Sequence, residues 1–335
     1  MRALVRSAGF GRDMLGAVGR GWSQFWFQES ATSPLEVTRI GIGAAMLLNY
    51  ARATPFLFDF WGEAGFVPRQ VVLDDKTDPW IQSFFFYFDA PWQWTAFHFL
   101  FLLCCAALMV GWRTTWVKWL VLIGHVSYAY REPVIIYGVD ALLASLLFIL
   151  CMAPCGRALS LDRVLAVRAA KLAGKAAPPP YRSAWAGACI RLMQIQMAVL
   201  FFYSGIAKLK GEDWWNGDAI WLVFLTGEHY SRAVLDVLAA HYWLVNVGTY
   251  GTILIELAFP FLIWQRATRP YLLGAAIFLH FMFAVLMGLY YFSFVMVMGH
   301  MSFVRPEWLA RFGAALKRRV SETPAAEISG GQPLS

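Results

Sequence analysis

The sequence predicts an all-α integral membrane bundle, with about eight transmembrane helices and two long aromatic-rich outer loops. Three observations carry that expectation. Of 335 residues, 59% are hydrophobic and 15% charged, against about 45–50% and about 25% in soluble domains. So few charges cannot cover a surface facing water. Apolar runs approaching the roughly 20 residues that span a bilayer recur along nearly the whole chain. Basic residues collect in alternate connecting segments, the pattern of a topology signal.

The elements follow in order. Residues 1–32 carry Arg2, Arg6, Arg12 and Arg20 with no apolar stretch of signal-peptide length behind them. Interleaved Phe10, Met14, Leu15, Trp22, Phe25 and Trp26 suit an interfacial amphipathic helix; a partly ordered cytoplasmic tail is the alternative. The membrane domain is expected over 33–310, with spans at 35–52, 95–112, 115–130, 137–154, 185–206, 246–264, 271–288 and 289–305. Pro133 separates the third span from the fourth, because proline restricts itself and its predecessor away from helix. Gly288 is the expected turn between the last two. The 53–94 and 207–245 loops are crowded with aromatics, which fits an interfacial belt, and 219–227 is apolar enough to dip inward and cap a cavity. The 311–335 segment reads as a basic stretch followed by a disordered tail.

Alternating sides from an inner N-terminus puts every inner segment on a basic group, including Arg113 with Lys118, Arg157 to Arg182, Arg266 with Arg269, and Arg305 to Arg319. The outer loops hold Asp59, Glu63, Asp74, Asp75, Asp78 and Asp89, then Glu212, Asp213, Asp218, Glu228 and Asp236. A multi-pass protein of the cell's inner (plasma) membrane with both termini cytoplasmic follows. The net charge of +7 is spread over these groups and forms no compact patch for nucleic acid. The five cysteines lie in or beside apolar runs without metal or disulfide spacing, and no metal, flavin or nucleotide motif is visible.

Ionisable residues inside apolar runs are costly in a bilayer and usually face the bundle interior. Arg39 and Arg191 either snorkel toward the inner face or face inward. Asp140 either lines a cavity or caps a helix. Glu256, between Ile253-Leu254-Ile255 and Leu257, must be paired or protonated; Arg39, Arg191 and then His280 are the expected partners. His280 suits a hydrogen-bonded packing role or a catalytic one. Lys208 ends an apolar run and shares a helix face with Ser204 four residues earlier. It is either a snorkelling interfacial lysine or, desolvated, a general base.

Tyr203-Ser204-Gly205-Ile206-Ala207-Lys208-Leu209, with Asp213-Trp214 and Gly217, resembles the lysine-bearing segment of the vitamin K-dependent γ-carboxylases. It is similar also to the wider horizontally transferred transmembrane (HTTM) family. Four further stretches agree in order: Thr38-Arg39-Ile40 with Gly41 and Gly43; Arg131-Glu132-Pro133 through Tyr137-Gly138-Val139-Asp140; Ala153 through Asp162; and His280, Phe292 to Met296 and Pro306-Glu307-Trp308. The resemblance covers about residues 33–310. It implies an outer-face site at which a lysine deprotonates vitamin K hydroquinone, so that oxygen chemistry can activate a glutamate for carboxylation. Lys208 takes the position of that lysine. Ala207 stands where the carboxylases have a second lysine, and their large lumenal domain has no counterpart after Trp308, so carboxylation itself stays open.

Two functions are therefore carried forward. One is a membrane enzyme that uses a quinol-type, lipid-soluble reductant to modify an acceptor at the outer face. Lys208, Glu256 and His280 are its candidate catalytic residues, and Arg39, Asp140, Arg191 and Ser204 line or support the cavity. The other is a non-catalytic protein that binds lipid or quinone, or serves as a transport or partner subunit.

Overall fold

The computed structural model describes residues 16–76, 78–226, 232–309 and 311. Phe10, Met14 and Leu15 of the expected amphipathic segment, Glu228 and Tyr230 of the second loop, Lys317 to Arg319 and the 320–335 tail lie outside them. The structure is about 76% helical. Helix α1 covers 16–27 and α2 Ser33–Ala53. Short α3 (Leu57–Trp61) and α4 (Arg69–Asp74) lie in the first loop. Then come α5 (Pro91–Val110), α6 (Thr114–Arg131), α7 (Gly138–Met152) and α8 (Leu161–Leu172). After α9 (Ala184–Lys208), the second loop forms α10 (Glu212–Asn216), α11 (Ala219–Leu225) and α12 (Arg232–Ala240). The chain closes with α13 (Trp243–Leu262), α14 (Arg269–Met287) and α15 (Tyr290–His300).

Each apolar segment predicted from sequence coincides with a helix to within a few residues. The shortest is α15, which tightens into a 3-10 turn at Met301–Phe303. Helices α5, α9, α13 and α14 are long and apolar enough to cross a membrane. Their outward side chains include Leu103 at 68%, Leu254 at 69% and Phe278 at 61% exposure. Water does not tolerate so continuous an apolar surface, whereas lipid solvates it.

Local chemistry explains the element ends. Pro34 sits in the first turn of α2 with Glu36 behind it, where a missing N–H costs nothing and a negative charge faces the helix dipole. Pro133 falls between α6 and α7 as expected, and Gly288 turns α14 into α15 at φ +70°, a conformation that favours glycine.

Helix α2 packs on α5 and α15, α9 on α13 and α7, and α14 on α15. Small residues set the closest crossings. A Cβ on Gly43 would lie 2.7 Å from the Met109 backbone nitrogen, and one on Gly205 would lie 2.7 Å from Leu257 Cδ2. Such contacts let helix backbones approach without a side chain between them. At the opposite end, β1 (Ser30–Ala31) pairs antiparallel with β2 (Arg182–Ser183). That pairing ties the entry of α2 to the entry of α9.

Candidate functional site

The Gly205 crossing brings α9 and α13 together where both carry their ionisable residues. Lys208, the last residue of α9, donates from Nζ to Ser204 Oγ at 2.7 Å and to Glu256 Oε1 at 2.9 Å. Glu256 Oε2 lies 2.8 Å from the same nitrogen. The Lys208 side chain is 19% exposed and that of Glu256 6%, so this is a largely desolvated ion pair. Glu256 sits about 20 Å along the axis of α13 from Trp243 at 1.5 Å per residue. Helix α9 therefore stops well short of the Trp243 end of α13, and the second loop fills the space beyond it.

That loop is built to cover the pair. Gly211 N donates to Lys208 O at 3.1 Å, folding the chain so that Lys208 Nζ lies 5.1 Å from the Trp214 ring centroid, a cation–π distance. Gly217 at φ +85° then turns α10 into α11, and its carbonyl accepts from Asn246 Nδ2 at 3.2 Å. Tyr250 Oη donates to Trp215 O at 2.8 Å, and Ile220 N to Thr249 Oγ1 at 3.2 Å. These bonds fasten α10 and α11 to the first half of α13. An apolar hollow of about 380 Å³ opens at Trp214, walled also by Trp215, Tyr250, Ile253, Leu254 and Leu257 among others; neither Lys208 nor Glu256 is part of its wall.

Several expectations need correction. The partner of Glu256 is Lys208, and neither Arg39, Arg191 nor His280 contributes to its ion pair or hydrogen bonds. Sequence position hid this, because the two residues are 48 apart and only the antiparallel crossing unites them. Arg39 is fully buried and does not snorkel. Its Nε donates to Cys155 O at 2.8 Å, and its Nη atoms reach the carbonyls of Leu108, Met109 and Leu159. It locks α2 to the end of α5 and to the 153–160 turn, away from Lys208. Arg191 donates to Phe25 O at 3.1 Å and to Gln194 Oε1 at 2.8 Å, which docks the end of α1 on α9.

Asp140 takes the capping alternative, its Oδ2 accepting from Tyr137 N at 3.1 Å. It also borders a separate cavity of about 210 Å³ with Tyr50, Tyr128 and Tyr291. His280 is buried, yet neither ring nitrogen has a hydrogen-bond partner among the described residues. It packs edge-on to Phe201 and Phe292, with its centroid 5.5 Å from the His300 ring, so the hydrogen-bonded packing role does not hold.

Other buried polar groups escape a reading from sequence. Tyr50 Oη meets His125 Nδ1 at 2.9 Å, and Tyr128 Oη meets His98 Nδ1 at 2.8 Å. Thr54 Oγ1 closes the latter chain on His98 Nε2 at 2.9 Å. Glu36 accepts from the backbone N–H groups of Arg157, Ala158 and Leu159. Lys118, counted above only as a topology signal, is buried and donates to Ala153 O at 2.8 Å. His98, His125 and Lys118 satisfy the same rule that selects His280, since each is an ionisable residue within a predicted span.

A helical bundle with membrane-crossing helices and a lysine–carboxylate pair under an aromatic loop defines the class. The HTTM domain matches residues 27–308, most of the chain, so the chain belongs to the HTTM family. It is similar to the "Uncharacterized protein YitO" of Bacillus subtilis (strain 168), at 30% identity over 110 residues covering 31% of this chain and 35% of that protein. The chain thus matches about a third of the length of this curated relative. No solved structure matches it.

Proposed function

We propose that this HTTM protein is a multi-pass membrane enzyme whose Lys208–Glu256 pair exchanges a proton with a lipid-soluble quinol held in the hollow beside Trp214. The observation that supports this reading most is the adjacency of a desolvated proton couple and an apolar cavity. Trp214 belongs to both, lying under Lys208 Nζ and lining the hollow. The walls are aromatic and aliphatic, which suits a flat, apolar ring bearing a hydroxyl. A bound quinol would supply reducing equivalents. The chain supplies proton management: as Lys208 Nζ takes the hydroxyl proton, the ammonium would pass one of its own protons to the Glu256 carboxylate, which ends protonated and holds the lysine in place. Carboxylation of a glutamate acceptor by way of this chemistry is the finer form of the proposal.

The topology belongs to the same reading. Arg39, Arg157, Arg191, Arg266 and Arg269 gather toward the ends of helices remote from Lys208, so that end is assigned to the cytoplasm with both termini, in the cell's inner membrane. Outside labelling of cysteines placed at Asp75 but not at Lys171 is expected, and the reverse pattern refutes the orientation.

The functional test uses the purified protein in lipid nanodiscs with a reduced menaquinone analogue. Wild type is expected to gain thermal stability with the analogue and to oxidise it in air. Lys208→Arg should keep the stabilisation but lose the oxidation, because guanidinium does not give up its proton. Equal oxidation by Lys208→Arg refutes the base role. The fully satisfied contacts of Lys208 favour a second reading, a structural pair in a quinone- or lipid-binding protein. Stabilisation without oxidation in wild type selects that one.

A further inference from the structure

Another cavity, of about 430 Å³, lies at the end of the bundle away from Lys208. Its wall is assembled from chain segments remote in sequence: the 25–30 segment at the end of α1, the entries of α2 and α9, the α13–α14 turn, and residues 302–307 after α15. Close packing holds the wall in place. A Cβ on Gly187 would run into the Gln28 carbonyl, so the 25–30 segment lies directly on α9. Gln194 Nε2 donates to Ser302 O at 2.7 Å, joining α9 to the turn after α15.

Charge distinguishes this cavity from the apolar hollow at Trp214. Arg182, Arg191, Arg266, Arg269 and Arg305 line it, against Glu29 and Glu307. Among the described residues, none of the five arginines forms an ion pair within 4.0 Å. Arg269 feels the like charges of Arg191, Arg305 and Arg266. The structural duties of three of them are met by backbone carbonyls: Arg182 on Glu29, Arg191 on Phe25, and Arg269 on Ile263 and Trp264. The guanidinium groups of Arg266 and Arg305 have no hydrogen bond to the described residues, and both residues are exposed. Converging guanidinium groups repel one another unless an anion sits among them, and their planar forks match the oxygens of a phosphate.

We propose that this basin is a binding site for a phosphate group, such as that of an anionic phospholipid headgroup reaching in from the adjoining membrane surface. Basic pockets between membrane helices hold such headgroups by the same chemistry. The inference rests on the cavity and its charges, independently of the Lys208 reading. A free phosphate ion offers the same oxygens, and the two sources differ in whether a lipid is required.

The test compares the full chain in phosphatidylcholine nanodiscs, in nanodiscs with 30% phosphatidylglycerol (about one lipid in three, enough to saturate a site of ordinary affinity), and in phosphatidylcholine with added inorganic phosphate. Thermal unfolding and native mass spectrometry of retained lipid are read together. Phosphatidylglycerol is expected to raise the unfolding midpoint and to be retained. Arg266→Gln with Arg305→Gln should weaken that binding about tenfold or more, as two charge-assisted contacts are lost, while unfolding as wild type does in phosphatidylcholine alone. Stabilisation by inorganic phosphate that the same double variant abolishes supports the site and names the free ion as its ligand. The proposal is overturned if neither source stabilises the protein, or if the double variant binds as wild type does. It is also overturned if Arg168→Gln with Lys171→Gln on α8 weakens binding equally, since bulk charge would then be the cause.

Discussion

Removing both partners of the Lys208–Glu256 pair should cost clearly less than the sum of removing each alone. Lys208→Met deletes Nζ and strands a carboxylate whose side chain is 6% exposed. Breaking a buried pair in this way costs about 3–5 kcal/mol, and the 19% exposure of the lysine side places the value near the lower figure. Glu256→Leu leaves Lys208 with Ser204 Oγ at 2.7 Å and the Trp214 ring. That ammonium retains a polar contact and some access to solvent, so its loss is set at about 2 kcal/mol, within the range of a hydrogen bond to a charged group. In Lys208→Met/Glu256→Leu no charge remains to be buried, and apolar replacement of an ion pair is often neutral. The double variant should therefore cost no more than the costlier single one, giving a coupling of about 2 kcal/mol. The assay is reversible unfolding in mixed micelles followed by near-ultraviolet circular dichroism, which reports the tryptophans. If the double variant costs the sum of the singles to within about 0.5 kcal/mol, the two residues do not act as a pair and the proton couple fails with them.

Further substitutions test other parts of the structure. Gly205→Val should destabilise by about 1–3 kcal/mol through overpacking, because its Cβ would lie 2.7 Å from Leu257 Cδ2 and 3.4 Å from Glu256 Cβ; unfolding midpoints of purified protein check this, and an unchanged midpoint refutes the close crossing. Arg39→Lys should lose about 3 kcal/mol or more, since a single ammonium cannot replace the guanidinium contacts to four carbonyls; stability like that of wild type in the same assay counts against the lock. Glu132, between the third and fourth predicted spans, has its carboxyl pushed above the ordinary 4.5 by burial, with Arg131 opposing. The folded state thus holds that proton more tightly than the unfolded one, so its stabilising contribution is full below pH 4.5 and lost as pH rises through the raised value. Glu132→Gln should remove that decline from an unfolding-versus-pH series, and a profile identical to wild type refutes the shift.

What could be read from the chain and what could not divide along a physical line. Helix positions follow from composition and periodicity, which are local, and so do the stops at Pro133 and Gly288. Ser204 and Lys208 could be placed on one face because four residues make a helical turn. The cap at Asp140 was one of two local options, and the choice needed only the neighbouring N–H of Tyr137. Partners across helices are different. Nothing in the order of residues states that α9 stops beside the middle of α13, so Glu256 could be seen to need a partner without Lys208 being seen as that partner. Arg39 shows the same limit from the other side. Its position near a span end allowed snorkelling, but its carbonyl acceptors come from α5 and the 153–160 turn, whose approach depends on Gly43 lying against Met109. The arginine basin is the extreme case. Arg182, Arg266, Arg269 and Arg305 read as topology signals in three segments and Arg191 as an ionisable residue within a span, and only the joint placement of those segments makes them one cavity. A single sequence thus supplies the charges that set orientation in the bilayer, while the fold alone decides which of them also meet. The Lys208 pair and the basin sit at opposite ends of α9 because α13 lies antiparallel to it: Lys208 ends α9 beside Glu256, while Arg191 near the start of α9 lines the basin with Arg266 and Arg269 of the α13–α14 turn.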